Sequence, residues 1–380
     1  MDASVNRILS STDKKAILIA LKLKSELKSE NSKSVKNSFE ELKQLAVTAG
    51  CIILEELIIT REFIDSAYII GKGYLEKLKE TIQSLEVKLI VFDLNEIRPA
   101  QIRNLEEELK CRVVGRQEII LDIFANRAKT AEAKIQVELA QLKYILPRLK
   151  GYGEVLSRLG GGIGTRGPGE KMLETDKRHI QRKIKVLNEK LKKLGQHRKL
   201  TRKLRSSKIT GSVVGYTNAG KSSLVNLLAK DELFVEDRLF ATLDSFTRTV
   251  YLSENVSTLL TDTVGFIRNL PANLIEAFSS TLEDITESDY IIHVVDISAE
   301  DYEANIKTVN KELQRLNCEL KPCIYFFNKC DLVDCDYIVS KILSQYSNAV
   351  IGSVYTGVGI DKLKQLIEQL DYGLNQHLSN

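Results

Sequence analysis

Apolar residues in the first part of this chain come in short dense runs, separated by stretches in which they recur at every third or fourth position. The runs at 16–21, at 51–54 or on to 59, at 88–92 and at 111–114 are too short for helices, and they read as buried strands of a parallel sheet. Between them Phe39, Leu42, Leu45 and Ala46 share one helical face, as do Leu75 and Leu78, and Pro99 opens a helix over 99–109, where its missing N–H costs nothing. Strand and helix in alternation predict a small parallel α/β domain over residues 1–122. The pattern then changes. Ile135, Leu139, Leu142, Leu146 and Leu149 follow four-three spacing, and Ile180, Ile184, Leu187, Leu191 and Leu194 repeat it, so two helices with coiled-coil seams should pack together. Their connector, 150–170, is too short to return a parallel partner to its start, which makes 123–207 an antiparallel helical hairpin. From 208 to 380 short apolar runs return at 209–214, 256–260, 323–327 and 349–351, and a last helical pattern covers 361–370.

The ends of these later strands carry the candidate chemistry. Gly215-Tyr216-Thr217-Asn218-Ala219-Gly220-Lys221-Ser222, followed by Ser223, is a G-x-x-x-x-G-K-S string, in which a glycine-rich turn aims backbone N–H groups and a helix N-terminus at phosphate oxygens. Lys221 would reach the β- and γ-phosphates, and the Ser222 hydroxyl would bind Mg²⁺, which keeps most of its waters and takes few protein ligands. A single string of this kind also occurs in ordinary turns. Three further boxes follow it in order. Asp262-Thr263-Val264-Gly265-Phe266 ends the run at 256–260, where a carboxylate meets the Mg²⁺ shell, directly or through water, and the Gly265 N–H meets the γ-phosphate. Asn328-Lys329-Cys330-Asp331 ends the next run, and the Asp331 carboxylate can accept from both N1–H and the 2-amino group of guanine. Adenine lacks that donor pair, so the box selects the base. Ser353 and Val354, after 349–351, suit a loop that closes over the base through its backbone. Together the boxes imply a P-loop domain that handles guanine nucleotides.

Composition narrows the class. The 380 residues, 43% of them apolar, suffice for two or three ordinary cores. No apolar run approaches the ~18 residues of a membrane span, the first ten residues lack a secretory core, and a cytoplasmic location is expected. The six cysteines form no C-x-x-C pair and read as reduced thiols. A zinc site at Cys318, Cys323, Cys330 and Cys335 is rejected, because Cys323 opens a strand and Cys330 sits inside the guanine box. The four histidines form no cluster.

Net charge is only +4, yet from Lys177 to Lys208 there are 14 Lys or Arg and one acid, Glu189. The run fits contact with a polyanion, or else a solvated helix face paired with acids on its neighbour. Eight of the 21 glycines fall in the connector 150–170, with Arg158 and Arg166 among them. Such a loop is either a floppy linker or a tip able to approach another backbone while its arginines meet phosphates. Gly71-Lys72-Gly73 is either a second phosphate turn or a plain loop-to-helix junction.

The string Gly160-Gly161-Gly162-Ile163-Gly164-Thr165-Arg166-Gly167-Pro168-Gly169-Glu170, then Leu173-Glu174-Thr175-Asp176, with Phe240-Ala241-Thr242-Leu243-Asp244 and Asp262 to Ile267, resembles the HflX family of ribosome-associated GTPases. The likeness extends to the segment from Arg98 to Glu106 and to Gly71-Lys72-Gly73, and it spans about residues 45–370. It implies a small N-terminal nucleotide-binding-like α/β domain, a coiled-coil hairpin with a glycine-rich tip, and a Ras-like G domain over 208–380. It further implies a GTPase with Mg²⁺ as cofactor, GTP and GDP as ligands, and the large ribosomal subunit and its rRNA as partner. Splitting or rescue of stalled ribosomes under stress is the expected activity, with ribosome assembly or a non-catalytic GTP-dependent adaptor as alternatives. A monomer without a membrane span is expected, with peripheral membrane association admitted.

Carried over by residue, the resemblance makes Thr242 the switch threonine that binds Mg²⁺ directly and supports the γ-phosphate, with switch I at about 235–249. Phe266 stands where many GTPases place a water-orienting glutamine, so no catalytic residue is identified and hydrolysis should be slow until ribosomes stimulate it. Arg248 is either an arginine acting in cis or a partner contact. The rRNA-contact candidates are Arg158, Arg166, Lys171, Arg198, Lys199, Arg202 and Lys203. Departures from the family pattern are Ser245 in place of a proline, Lys171 of a threonine, Tyr74 of a lysine and Val354 of an alanine. None removes a phosphate or metal ligand. The chain also stops soon after its last predicted helix, so a C-terminal extension found in many relatives is not expected.

Overall fold

The computed structural model describes residues 15–24, 31–159, 168–203, 208–230, 239–240, 242–254, 256–268, 279–333 and 336–379, except the side chains of 31–34, 150–159, 168–173, 197–203, 279–281, 336–337 and 374–379. Among them, residues up to Leu191 form one compact unit and those from Lys192 onward a second.

In the first unit, strands β1 (Lys15–Leu23), β2 (Ile52–Arg61), β3 (Leu89–Phe92) and β4 (Arg112–Gly115) alternate with helices α1 (Asn31–Thr48), α2 (Lys72–Leu85), α3 (Pro99–Leu109) and α4 (Arg116–Arg127). The strands form a fully parallel sheet in the order β2-β1-β3-β4. The apolar runs build its core, with Ile17, Ile19, Ile90 and Phe92 packed against Leu75, Leu78 and Leu105. Gly71 takes φ +76° as the residue before α2, and a Cβ there would lie 2.3 Å from the Arg61 guanidinium. The Arg61 guanidinium thus lies beside this turn.

Helix α5 (Ala131–Leu159) and helix α6 (Pro168–Lys203) follow. Eight intervening residues reach at most about 29 Å, whereas 29 helical residues rise about 43 Å, so the helices run antiparallel. Their seam holds Leu139, Leu142 and Leu187, with Ile135, Ile180, Ile184 and Leu191 beside them, and Lys183 pairs with Glu138 across it at 2.5 Å. The connector is shorter than the 150–170 expected, because α5 continues through Gly151 and Gly153. Two glycines at about 1 kcal/mol each do not stop a helix. A second face of α5 is buried as well. The Tyr144 hydroxyl donates to the Glu118 carboxylate of α4, and the Arg148 guanidinium lies 3.3 Å from the centre of the Tyr144 ring. Burial raises the Glu118 pKa, with the Arg148 charge opposing that rise.

The second unit carries β5 (Thr210–Gly215), α7 (Lys221–Ala229), β6 (Phe246–Tyr251), β7 (Ser257–Asp262), α8 (Ser279–Glu287), β8 (Tyr290–Asp296), α9 (Tyr302–Arg315), β9 (Cys323–Asn328), a 3₁₀ turn at Cys330–Leu332, α10 (Asp336–Gln345), β10 (Ala349–Ile351) and α11 (Ile360–Ser379). The six-stranded sheet has the order β10-β9-β8-β5-β7-β6, parallel except for β6. Val213, Ile292, Val294 and Phe326 fill one side of the sheet, and Val295, Phe327, Ile306 and Ile342 the other. Helix α11 runs nine residues past the predicted end at 370. This is a Ras-like domain, with its candidate residues gathered at the C-terminal ends of the parallel strands.

Candidate nucleotide site

The phosphate loop leaves β5, flanked by β7 and β8, and enters α7 at Lys221. Two of its glycines are required by geometry. Gly220 takes φ +95°, and a Cβ there would lie 2.3 Å from the Asn328 amide; a Cβ on Gly215 would lie 2.3 Å from the Val294 carbonyl oxygen. Lys221 is buried at 6% exposure and its Nζ donates to the Tyr216 carbonyl at 2.8 Å. Burial pulls its pKa down to about 8, with the Asp262 charge opposing. The Ser222 hydroxyl lies 2.6 Å from Thr242 Oγ1 and donates to Asp262 Oδ2 at 2.6 Å. Burial raises the Asp262 pKa, offset first by the Ser222 hydrogen bond and then by Lys221.

The base-side boxes are tied to the loop. The Asn328 side chain donates to the Ala219 carbonyl at 2.9 Å and accepts from the Val354 N–H at 3.0 Å, so one amide fixes the phosphate loop and the segment after β10 together. Lys329, in the left-handed region at φ 64°, pairs with Asp296 at 2.5 Å. Ser353 is buried; its N–H donates to Val358 O at 3.0 Å and its hydroxyl accepts from the Thr356 N–H at 3.2 Å. These elements enclose a cavity of about 680 Å³ lined by Thr217, Asn218, Gly220, Lys221, Ser222, Ser223, Thr242, Gly265, Asn328, Lys329, Asp331, Ser353 and Val354. Gly215, Tyr216, Ala219 and Asp262 stand behind that lining. Phosphate-side donors, hydroxyls beside a carboxylate, and a base-side acid thus converge on one space.

Three family models match consecutive parts of the chain: "GTP-binding GTPase N-terminal" over 36–125, "GTP-binding GTPase Middle Region" over 127–205 and "50S ribosome-binding GTPase" over 210–329. The GTPase HflX of Caldanaerobacter subterraneus subsp. tengcongensis is 46% identical over 334 residues, which cover 87% of this chain and 76% of that protein. The chain belongs to the HflX family of GTPases. The HflX of Escherichia coli K12 is 37% identical over 342 residues, covering 89% of this chain and 80% of the relative. Among solved structures, a GDP complex of SsGBP superposes with a TM-score of 0.51 at 26% identity, over 95% of this chain and 99% of the other.

Other expected positions of this HflX-family chain are less central. Phe266 is 5% exposed and bridges to Tyr216 rather than facing the cavity. Arg248 sits on β6, outside the cavity lining, with its guanidinium 5.7 Å from the Phe246 ring centre. Of switch I, residues 235–238 and 241 lie outside the described residues. Among the rRNA candidates, Arg166 falls in 160–167, also outside them; Arg158, Lys171, Arg198, Lys199, Arg202 and Lys203 lie on α5 and α6, but their side chains are not described. Cys335 is outside them too, while Cys51, Cys111, Cys318, Cys323 and Cys330 are free thiols. His293 is fully buried behind the site, and burial lowers its pKa to about 3.

Four further residues line the cavity: Phe240 and Thr263, which stand inside strings read from the sequence without a role of their own, and Leu332 and Tyr355, which the sequence did not single out. Leu332 and Tyr355 flank the base-side boxes at 67% and 92% exposure. Their position beside the boxes was the available signal.

Proposed function

We propose that the cavity binds GTP and GDP, that GTP is hydrolysed there with Mg²⁺, and that the chain works on the large ribosomal subunit to split or rescue stalled ribosomes. The observation that carries this reading is the convergence of Lys221, Ser222 and Asp331 on one cavity. The 50S ribosome-binding description of the family model matched at 210–329 supports the choice of partner. Labour divides along the chain: an N-terminal domain at 1–122, a hairpin at 123–207 that carries the rRNA contacts, and a G domain at 208–380.

The residues present fit a magnesium ion. Asp262 Oδ1 is buried without a hydrogen-bond partner, next to the Ser222 and Thr242 hydroxyls, and Mg²⁺ prefers a few hard oxygens of this kind. Ser222 and Thr242 would hold it directly, with Asp262 behind them. Bound there, the ion neutralises charge developing on the phosphate oxygens. Lys221 has three N–H donors and spends one on Tyr216, which leaves two for the β- and γ-phosphates. Asp331 reads the base, and the Val354 segment, held by Asn328, closes on it. Water attacks the γ-phosphorus and the bond to the bridging oxygen breaks, releasing GDP and phosphate. No side chain at position 266 holds that water.

Nucleotide affinity should fall with rising pH. Phosphate favours the charged form of Lys221, so above about pH 8 each binding event takes up a proton. GDP titrations at about pH 7.5 and 9 should differ by several-fold, weaker at the higher pH; equal affinities would contradict a Lys221 whose charge burial weakens in the free site and phosphate restores.

Ribosome binding should show a salt slope worth several phosphate contacts, and Arg198, Lys199, Arg202 and Lys203 changed to Glu should flatten it. Pelleting with mature large subunits and with precursor particles tests the partner. Retention on mature subunits supports rescue, whereas retention on precursors alone supports an assembly role.

A further inference from the structure

Recognition of a base at its edge leaves its faces to be covered. In the proposed site the Asp331 carboxylate and the Val354 N–H meet guanine in its plane, whereas the two broad faces of the ring are apolar and gain from apolar or aromatic cover. The lining next to those two residues offers such groups. Leu332 follows Asp331 directly and Tyr355 follows Val354, and both side chains belong to the cavity wall while standing open to solvent.

Tyr355 is the most exposed aromatic residue among those described, so its ring adds little to the packing of the domain. Its backbone is nevertheless closely held. The Val354 N–H donates to Asn328 Oδ1 at 3.0 Å, the Ser353 N–H to Val358 O at 3.0 Å, the Thr356 N–H to Ser353 Oγ at 3.2 Å and the Gly357 N–H to Ser353 O at 2.9 Å. Gly357 completes the turn at φ +81°, in the region that favours glycine. A tyrosine on such a backbone has only its two side-chain torsions left to order when a ligand arrives, which keeps the entropic cost of the contact low.

We propose that Tyr355 lays its ring over a face of the nucleotide base and so strengthens the hold of the site on GTP and GDP alike. The inference rests on the reading of the cavity as a guanine-nucleotide site. Stacking uses the π-face that every base carries, so Tyr355 adds affinity while Asp331 chooses the base. Cover by the ring also keeps water from beside the base, and the Asp331 hydrogen bonds are stronger for it. The contact is made to the base and not to the phosphates, which makes its contribution the same for di- and triphosphate.

GDP, inosine diphosphate, a non-hydrolysable GTP analogue and pyrophosphate, which has no base, are titrated against the full chain and against Tyr355→Ala and Tyr355→Phe. The alanine variant should bind the three nucleotides roughly five- to fiftyfold more weakly, by one common factor, and pyrophosphate as the unaltered chain does. Tyr355→Phe keeps the ring and should stay within about twofold of the unaltered chain. A second readout does not depend on affinity. The chain has no tryptophan, so Tyr355→Trp carries a single indole, whose emission should change saturably with GDP and stay constant with pyrophosphate. Unaltered GDP affinity in Tyr355→Ala, an equal loss for pyrophosphate, or an indole blind to GDP would overturn the proposal. Weaker retention on ribosomes with nucleotide affinity intact would overturn it too, by placing the ring on a partner surface. Failure of the unaltered chain to bind GDP would defeat the underlying reading instead.

Discussion

Asp331→Asn should raise the GTP dissociation constant by about two to three orders of magnitude while creating affinity for xanthosine triphosphate. The carboxylate offers two acceptors to the N1–H and 2-amino donors of guanine. An asparagine offers one acceptor and one donor, so one hydrogen bond is lost and two donors face each other. A charge-assisted bond is worth about 1.5–3 kcal/mol, and the unmatched donor adds its own desolvation cost, for a total of about 3–4 kcal/mol. Xanthine carries a carbonyl where guanine has the amino group, which restores the match. Competition of the two nucleotides against labelled GDP measures the exchange. Unchanged GTP affinity in the variant would show that Asp331, although it lines the cavity, does not read the base.

Large ribosomal subunits should raise multiple-turnover GTP hydrolysis by about three orders of magnitude or more. Phe266 is buried against the phosphate loop, and a phenyl ring cannot hydrogen-bond a water in the manner of glutamine. Arg248 lies off the cavity and provides no charge at the γ-phosphate in this arrangement. The missing water-ordering or charge-stabilising group therefore has to arrive with a partner, and trans-acting groups in phosphoryl transfer are worth ~10³ to 10⁵ in rate. Phosphate release with and without purified subunits reads the effect. Fast turnover by the chain alone would place a catalytic group within it that the cavity lining does not reveal.

The guanine-nucleotide boxes were legible because phosphate, metal and base chemistry each demand fixed residue types at strand ends. Most strands stood out as unbroken apolar runs, but β6 (Phe246–Tyr251), an antiparallel strand of mixed polarity, and β8 (Tyr290–Asp296), whose run is interrupted by His293, were not read from the sequence. Contacts made by polar side chains between distant elements were not legible. Nothing near Tyr144 marks it as a partner of Glu118, and the bond from the Arg268 N–H to the Tyr216 hydroxyl spans 52 positions. Helix ends were misread where propensity alone was the guide. Gly151 and Gly153 suggested a break that α5 does not make, and Pro147 lies inside the same helix. Tyr355 was passed over because loop residues that line a cavity with their side chains follow no spacing rule.

The most direct test of the account is sedimentation of intact ribosomes with the full chain and GTP, GDP or a non-hydrolysable GTP analogue. GTP and the analogue should both shift ribosomes toward free subunits, with the chain travelling on the large subunit and released only where hydrolysis is allowed. GDP should leave the ribosomes whole. Ribosomes that stay intact with every nucleotide, or separate equally well with GDP, would contradict a GTP-driven action on the large subunit.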